Sequence, residues 1–345
     1  MLGGESTAVV RMEVPEPGPH GGDGRAVAIA LGVDPDSVLD LSLSMNPVAP
    51  DVSVFIRSEI DSGALSRYPD ALDVSRATDA LAERIGVDSS RVVITSGGSE
   101  AIALVAAELG SGWANDPDFS LYWRYIPVMD PNGPLFRSDP NNPTGLLATS
   151  LETTGDSRDV AACEVWDEAF YPLATGKWSR LSNESVARES LTTIVLGSLT
   201  KLFACPGLRL GYVVTPPDDG EAIGHPGLSH RIKSRQPQWS VATPSLCALP
   251  DLVAIAELEE WSNAIKSLRR ELVDLLVAHR LSPRESDANF VLLDDAHGLR
   301  ADLARRAVIV RDCRSFGLPG SVRIAVTDSD GLERLDDALM KLDRR

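Results

Sequence analysis

Residues 197–212 read Gly197-Ser198-Leu199-Thr200-Lys201-Leu202-Phe203-Ala204-Cys205-Pro206-Gly207-Leu208-Arg209-Leu210-Gly211-Tyr212. They follow an apolar run, 193–196, that is typical of a buried strand. A lysine at the end of such a strand is poorly solvated, which lowers its pKa and suits it to Schiff-base chemistry. Two hydroxyls and the guanidinium of Arg209 supply the short donors and the planar cation that a phosphate requires. The spacing alone also permits a surface lysine followed by a turn.

The composition limits the class of protein. The chain has 345 residues, of which 43% are hydrophobic, so it is long enough for a large core and two domains. No run approaches eighteen apolar residues, so we expect no membrane-spanning helix. The formal charge of −17 argues against nucleic acid and anionic membranes as main partners. An anionic substrate must therefore meet a local cluster of arginines.

The N-terminal residues and the cysteines predict a cytoplasmic protein. The first 19 residues contain glycine, proline and charges without an apolar segment, which indicates a flexible leader and not a signal peptide. The four cysteines lie far apart and show neither a CxxC pair nor zinc spacing. We therefore expect reduced thiols and no metal site.

A glycine-rich turn provides a candidate anion site. The run 91–95 predicts a strand, and Ser96-Gly97-Gly98-Ser99 then opens a predicted helix that ends near Leu109. A helix N-terminus presents free N–H groups and partial positive charge, and glycine lets a phosphate approach. Neither a Walker A motif nor GxGxxG fits, which disfavours the nucleotide-binding folds. The glycines could also merely end the strand.

Two further segments place polar groups near a ring-shaped ligand. The run 161–167 predicts a strand that ends in Asp167, and ligands of parallel sheets bind beyond the carboxyl ends of the strands. Opposite a pyridine nitrogen, this acid would keep the ring protonated. In the segment 139–145, prolines on either side fix Asn142, whose amide can donate to a phenolate oxygen.

The C-terminal part predicts an amphipathic helix and then alternating strands and helices. Apolar residues recur at helical spacing over 258–275, and strands are predicted at 289–293, 308–311 and 321–326, with helices at 299–307 and 332–342. Arg311 and Arg323 lie on or beside apolar strands, where a charge is costly unless it is paired. We therefore expect at least one of them to meet a carboxylate or a phosphate, and a structural salt bridge is the competing interpretation.

These segments together resemble the fold-type I enzymes that use pyridoxal 5'-phosphate, the class I/II aminotransferase superfamily, over nearly the whole chain. The resemblance implies an α/β fold, with a large cofactor-binding domain of mostly parallel sheet and a smaller α+β C-terminal domain. It implies an N-terminal arm at 1–50, the large domain at 51–255 and the small domain at 256–345. Only 22 residues separate Phe119 from Asn142, so we expect a shortened large domain with at most one compact unit there.

The resemblance also implies a role for each site residue. Lys201 would form the Schiff base and move protons, Asp167 would pair with the pyridine nitrogen, Phe119 would stack on the ring, and Asn142 would bind the phenolic oxygen. Because Phe170 stands where the family often has a tyrosine, Asn142 would make that last contact alone. The cofactor phosphate would be held by Gly98, Ser99, Ser198, Thr200, Arg209 and, across a homodimer interface, by Tyr68 of the neighbouring subunit.

Four segments narrow the resemblance within that fold: His20-Gly21-Gly22-Asp23, Asp167-Glu168-Ala169-Phe170, the turn at Trp239 and the run 310–319. By these segments the chain resembles most the threonine-phosphate decarboxylases of cobalamin biosynthesis, and next the histidinol-phosphate aminotransferases. The likeness implies a phosphorylated amino acid or amine as substrate, bound by His20, Asn46, Arg311 and Arg323. Decarboxylation and transamination differ in which bond stands perpendicular to the cofactor ring, and the sequence leaves both open. A non-catalytic binding protein of the same fold is a third alternative, against which the retention of Lys201, Asp167 and Arg209 speaks.

Overall fold

The computed structural model describes residues 13–148, 163–182, 193–217 and 227–343, so residues 1–12 of the predicted arm lie outside the described residues. The strands in chain order are β1 (Leu39–Asp40), β2 (Val92–Ser96), β3 (Trp113–Ala114), β4 (Leu135–Ser138), β5 (Glu164–Asp167), β6 (Thr193–Ser198), β7 (Leu210–Val214), β8 (Phe290–Leu293), β9 (Val308–Ile309), β10 (Arg311–Asp312) and β11 (Val322–Ala325). The helices are α1 (Gly24–Leu31), α2 (Ser53–Asp61), α3 (Ala71–Ile85), α4 (Gly98–Leu109), α5 (Leu121–Tyr125), α6 (Tyr171–Thr175), α7 (Leu199–Leu202), α8 (Leu228–Arg235), α9 (Thr243–Ala254), α10 (Leu258–Ala278), α11 (Leu299–Ala304) and α12 (Ser329–Asp343).

The larger sheet is mostly parallel, as predicted. Its strand order is β2-β7-β6-β5-β4-β3, and β3 to β6 pair in parallel while β7 pairs antiparallel with both of its neighbours. The central strands are apolar over most of their length, and β7 is buried at every residue. Strands of that composition are buried on both faces by helices. One apolar core includes residues of α3, α9 and α10, and a second includes residues of α4 and α5.

Register brings the polar ends of neighbouring strands together. Ser138 at the end of β4 pairs with Asp167 at the end of β5, and Asp167 pairs with Leu196 of β6. Two residues later, β6 ends at Ser198 and the chain turns at once into α7, which carries Lys201. The predicted acid and the predicted lysine therefore leave the same edge of the sheet.

The C-terminal part forms a smaller, antiparallel sheet in the order β10-β11-β8. The prediction of one strand over 308–311 was wrong, because β9 pairs with β1 of the N-terminal segment while β10 joins the smaller sheet. The apolar run 38–43 likewise predicts a strand from its pattern, but it contains only the two-residue strand β1. Both errors have one cause, which is that a continuous apolar run does not reveal where the chain changes its pairing partner.

Helix α10 belongs to both parts of the molecule. Trp261 and Ile265 in its first half pack in one of the cores beside the larger sheet, whereas Leu272 and Leu276 pack in the core of the C-terminal part. Leu41, next to β1, packs in the core of the C-terminal part too. The proposed domain boundaries at residues 50 and 255 stay predictions. Helix α10 lies wholly after residue 255 and yet packs against both parts, and the N-terminal segment packs in the core of the C-terminal part.

The segment between Phe119 and Asn142 is compact, as its length requires. It contains the five-residue helix α5 and the strand β4. Elsewhere, Cys163, Cys205, Cys247 and Cys313 are all free thiols. None of the helices that the structure describes is long and apolar enough to cross a bilayer.

Candidate active site

A cavity of about 520 Å³ opens at the carboxyl edge of the larger sheet, against the C-terminal part. Most of the residues predicted from the sequence line it: His20, Gly98, Ser99, Phe119, Asn142, Asp167, Ser198, Thr200, Lys201, Arg209, Arg311 and Arg323. Among the described residues that line the cavity, Asp167 is the only carboxylate. The cavity therefore concentrates positive charge inside a chain whose net charge is −17.

Lys201 is held close to the N-terminal segment. Its Nζ donates to the carbonyl oxygen of Leu43 at 2.7 Å. Burial is the largest cause, the charges of Arg323, Arg209 and Arg311 add to it, and together they lower the pKa of Lys201 to about 7. An amine with this pKa is about half unprotonated at pH 7 and can act as a nucleophile or a base.

Asp167 is buried and receives two hydrogen bonds. The backbone N–H of Ala169 donates to its Oδ1, and the phenol of Tyr122 donates to its Oδ2, both at 3.1 Å. Burial raises the pKa of Asp167 to about 6, while these two donors oppose the rise because they favour the charged form. The carboxylate is thus available to hold a cationic ring nitrogen at neutral pH.

The glycine-rich turn is shaped around Arg209. Gly97 has a φ of +78°, and a Cβ at this position would lie 2.5 Å from Nη2 of Arg209. Arg209 itself adopts a left-handed backbone, with a φ of +52°. Helix α4 begins at the next residue, Gly98, and no side chain caps its N-terminus. An arginine and uncapped helical N–H groups at one point form an anion site.

Asn142 connects the cofactor side of the cavity to the C-terminal part. Its Oδ1 accepts from Nη1 of Arg323, and its backbone N–H donates to Oγ of Ser138 at 2.7 Å. Ser138 in turn donates to the buried Asp118, whose pKa is raised by burial to about 7. With its oxygen used by Arg323, the Asn142 side chain has its amide N–H groups left for a ligand.

Neither C-terminal arginine has an acidic partner among the described residues, so the salt-bridge alternative does not hold there. Arg311 is 2% exposed and donates to the carbonyl oxygens of Gly18 and Pro19. Arg323 is 5% exposed, donates to Asn142 and to the Ser42 carbonyl, and has no hydrogen-bond partner for Nε. Two buried cations without a carboxylate indicate an anionic ligand.

The mouth of the cavity carries two further basic groups. His20 and Arg124 both line it and both remain exposed. Partial burial and then the charges of Arg311 and Arg124 lower the pKa of His20. The neutral imidazole can donate one N–H to an anion and keep the other nitrogen as an acceptor.

Two predicted residues lie outside the cavity lining. Asn46 is buried, its Nδ2 donates to the carbonyl oxygen of Leu202 at 2.9 Å, and its backbone N–H donates to that of Lys201 at 3.1 Å. It supports the lysine turn and does not face the cavity. Tyr68 is 71% exposed and stacks on Trp239 with ring centroids 4.5 Å apart. Its predicted role across a dimer interface stays a prediction.

Two residues at the site were missed from the sequence. Tyr122 ends the segment 117–122, a proline, the predicted ring-stacking Phe119 and then this tyrosine, so a signal was present, but its partner Asp167 lies 45 residues further along the chain. Arg124 gave no signal, because an arginine on a short helix is usually solvated. It lies on the five-residue helix α5, whose residues Leu121 and Tyr125 also line the cavity.

A family model described as aminotransferase class I and II matches residues 132–339. A threonine-phosphate decarboxylase from Salmonella typhimurium is 31% identical, over 93% of this chain and 95% of its own length. The chain belongs to the class I and II aminotransferase family. A histidinol-phosphate aminotransferase from Stutzerimonas stutzeri is 27% identical, over 92% of this chain and 93% of its own.

Solved structures show the same fold. The histidinol-phosphate aminotransferase from Sinorhizobium meliloti, in complex with pyridoxal-5'-phosphate, has a TM-score of 0.75 at 17% identity and covers 98% of this chain and 99% of its own. The L-threonine-O-3-phosphate decarboxylase from Porphyromonas gingivalis has a TM-score of 0.72 at 19% identity and covers 89% and 100%. The fold-type I prediction is confirmed.

This family member is an enzyme that depends on pyridoxal 5'-phosphate, and its cavity fits that cofactor. The uncapped N-terminus of α4 and the guanidinium of Arg209 suit the phosphate, and Gly97 leaves the space. Asp167 is the acid for the ring nitrogen, and Lys201 is the amine for the aldehyde. These individual assignments stay predictions that the chemistry of the donors supports.

Lys201 should titrate near neutral pH. Competitive labelling of the cofactor-free protein with an amine-reactive reagent, read by peptide mass spectrometry, should give a midpoint at about pH 7, well below the ordinary lysine value of about 10.4. Only the free amine reacts, so labelling rises with pH through the pKa. Arg323→Gln should move the midpoint upward, since it removes a neighbouring cation. If Lys201 and the exposed Lys177 were labelled to the same extent at every pH, the result would contradict this account.

Tyr122→Phe should weaken cofactor binding. The change removes a donor to a buried carboxylate, a bond that contributes about 1.5–3 kcal/mol, so we expect the dissociation constant to rise by about tenfold or more. The substitution also raises the pKa of Asp167. As the pH is lowered, the affinity for the cofactor should therefore fall at a higher pH in Tyr122→Phe than in the unchanged protein. An absorbance titration with pyridoxal 5'-phosphate measures both effects. Tyr125→Phe, which alters a neighbouring tyrosine of the cavity wall, is the control and should bind as the unchanged protein does.

Proposed function

We propose that this enzyme acts on an amino acid that carries both a phosphate and a carboxylate, and that its reaction is the decarboxylation of L-threonine-O-3-phosphate. The observation that supports this most is the pair Arg311 and Arg323, both buried in the same cavity as Lys201 and both without an acidic partner among the described residues. Two separate cationic positions match a ligand with two anionic groups.

The roles of the two arginines follow from their surroundings. Arg323 lies beside Asn142 and contributes most, after burial, to the lowered pKa of Lys201, so we assign it to the substrate carboxylate. Arg311 lies beneath residues 18–19 and shares the cavity with His20, so we assign these two residues to the phosphate. Arg124 at the mouth adds a second positive charge on the phosphate side, beside Arg311 and the neutral imidazole of His20.

Bound pyridoxal 5'-phosphate supplies an acceptor for the electron pair that is left on the substrate α-carbon. In the proposed reaction, the bond between Cα and the carboxylate carbon breaks, CO2 leaves, and a proton takes its place to give 1-amino-2-propanol phosphate. Lys201 Nζ, with a pKa of about 7, can deliver that proton to Cα from its ammonium form. Asp167 would keep a proton at the ring nitrogen, and the arginines would orient the substrate so that its bond to the carboxylate is the one that breaks.

Transamination of histidinol phosphate is the second candidate. The relative from Stutzerimonas stutzeri carries that name, at an identity close to that of the decarboxylase from Salmonella typhimurium. Histidinol phosphate has one anionic group, but the 2-oxoglutarate that accepts the amino group has two carboxylates. The same pair of arginines would serve them, so the choice depends on the reaction measured.

We further propose a homodimer, with Tyr68 contributed to the neighbour's cofactor phosphate. Large apolar side chains are exposed around this residue, among them Leu65, Leu72 and Trp239 at 56–68%. An apolar patch of this kind is typical of a subunit interface. Cytoplasmic location also stays a prediction, consistent with the free thiols.

The purified enzyme loaded with cofactor should release CO2 from L-threonine-O-3-phosphate without any amino-group acceptor. A parallel reaction with histidinol phosphate and 2-oxoglutarate should form no glutamate. Mass spectrometry of the amine product and a glutamate assay measure the two reactions, and Lys201→Ala is the inactive control. Glutamate formation without CO2 release would replace the first candidate by the second.

A further inference from the structure

The N-terminal strap, which we define as residues 15–23, crosses the mouth of the cavity and carries His20. The His20 side chain is exposed and makes no hydrogen bond to the described residues, so its own packing does not fix its position. Its neighbours are fixed instead. Gly22 donates its backbone N–H to Oγ of Ser42 at 2.9 Å, and Gly21 has a φ of +76° with no room for a Cβ beside that oxygen.

The strap is held on its other side by an ion pair that is buried at Arg300 and partly buried at Asp23. Nη2 of Arg300 lies 3.3 Å from Oδ2 of Asp23, and its Nη1 donates to the carbonyl oxygen of Pro15 at 2.5 Å. The Asp23 carboxylate also accepts from the backbone N–H of Gly18, at 3.0 and 3.2 Å. Arg300 therefore holds both ends of the strap, directly at Pro15 and through Asp23.

Arg300 acts from outside the cavity. It is 6% exposed on α11, and neither it nor Asp23 lines the cavity wall. A buried ion pair seldom adds much net stability, but breaking one leaves an unpaired charge and frees whatever it holds. Here it holds the loop 18–23, whose turn presents His20 and whose carbonyl oxygens receive the Arg311 guanidinium.

We propose that Asp23 and Arg300 are positioning residues for substrate binding, because their ion pair fixes the strap with His20 facing the cavity beside Arg311. This inference rests on the proposed function, in which His20 and Arg311 bind the substrate phosphate. It adds two residues that touch neither substrate nor cofactor, and it makes substrate affinity depend on a contact on the far side of the strap.

The chain offers a matched control for this contact. Arg314 also reaches the strap, through an ion pair of 3.0 Å with Glu16, but both partners are exposed, at 55% and 88% of their side chains. Exposed pairs of this kind contribute little to stability. Arg314→Ala should therefore leave the strap, and the substrate affinity, unchanged.

A double-mutant cycle with His20→Ala tests the proposal. Arg300→Ala should raise KM for the phosphorylated substrate about tenfold with kcat within about twofold, and should raise it much less in a His20→Ala background, where only the support of Arg311 is left to lose. The same rise in KM in both backgrounds, or a fall in kcat alone, would overturn the positioning role. Should Arg300→Ala fail to fold, Asp23→Asn removes the ion pair while it keeps the shape, and the same results are expected.

Hydrogen exchange separates this inference from the proposed function. Without any substrate, the peptide that spans residues 13–23 should exchange faster in Arg300→Ala and Asp23→Asn than in the unchanged protein, and not in Arg314→Ala. Unchanged exchange would refute the ion pair as the fastening of the strap, whatever the enzyme turns over. Faster exchange in a protein that acts on neither phosphorylated substrate would instead refute the proposed function and leave the fastening intact.

Discussion

The site depends on an excess of positive charge, in which Arg311 and Arg323 are buried without a carboxylate partner among the described residues. Lys201 shares its cavity with Arg209, Arg311 and Arg323, and Asp167 is the only acid among the described lining residues. The same surroundings have two effects. They lower the pKa of the lysine amine to about 7, because burial and neighbouring cations both penalise the ammonium form. They also favour ligands with several negative charges, which only such a local cluster can attract to a chain of net charge −17.

The sheet and the C-terminal part each supply half of this arrangement. The parallel strands β4, β5 and β6 end at one edge, which places Asp167 and the lysine turn side by side. The antiparallel pair β10 and β11 brings Arg311 directly opposite Arg323. The N-terminal segment then joins the two halves. The carbonyl oxygen of Leu43 accepts a hydrogen bond from the Lys201 amine, and that of Gly18 in the strap accepts one from the Arg311 guanidinium. Each cation is thus held by backbone oxygens, which orient it without cancelling its charge.

Much of this could be predicted from the sequence, because the chemistry of each segment is local. Lys201 with Arg209, the glycine-rich turn and Asp167 each lie within one short run, and their order along the chain was sufficient for the fold. Contacts between distant segments could not be predicted. The phenol of Tyr122 meets an acid 45 residues away, and Arg300 meets Asp23 across 277 residues. The division of 308–311 between two sheets could not be predicted for the same reason, because an apolar run does not indicate which strand each of its residues pairs with.

The central claim is that Lys201 is the residue to which the cofactor is covalently attached. Borohydride reduction of the protein loaded with pyridoxal 5'-phosphate, followed by proteolysis and mass spectrometry, tests it directly. The account predicts one equivalent of reduced pyridoxyl group per chain, on the peptide that contains Lys201, and none in Lys201→Ala. Attachment at another lysine, or no attachment at saturating cofactor, would contradict it.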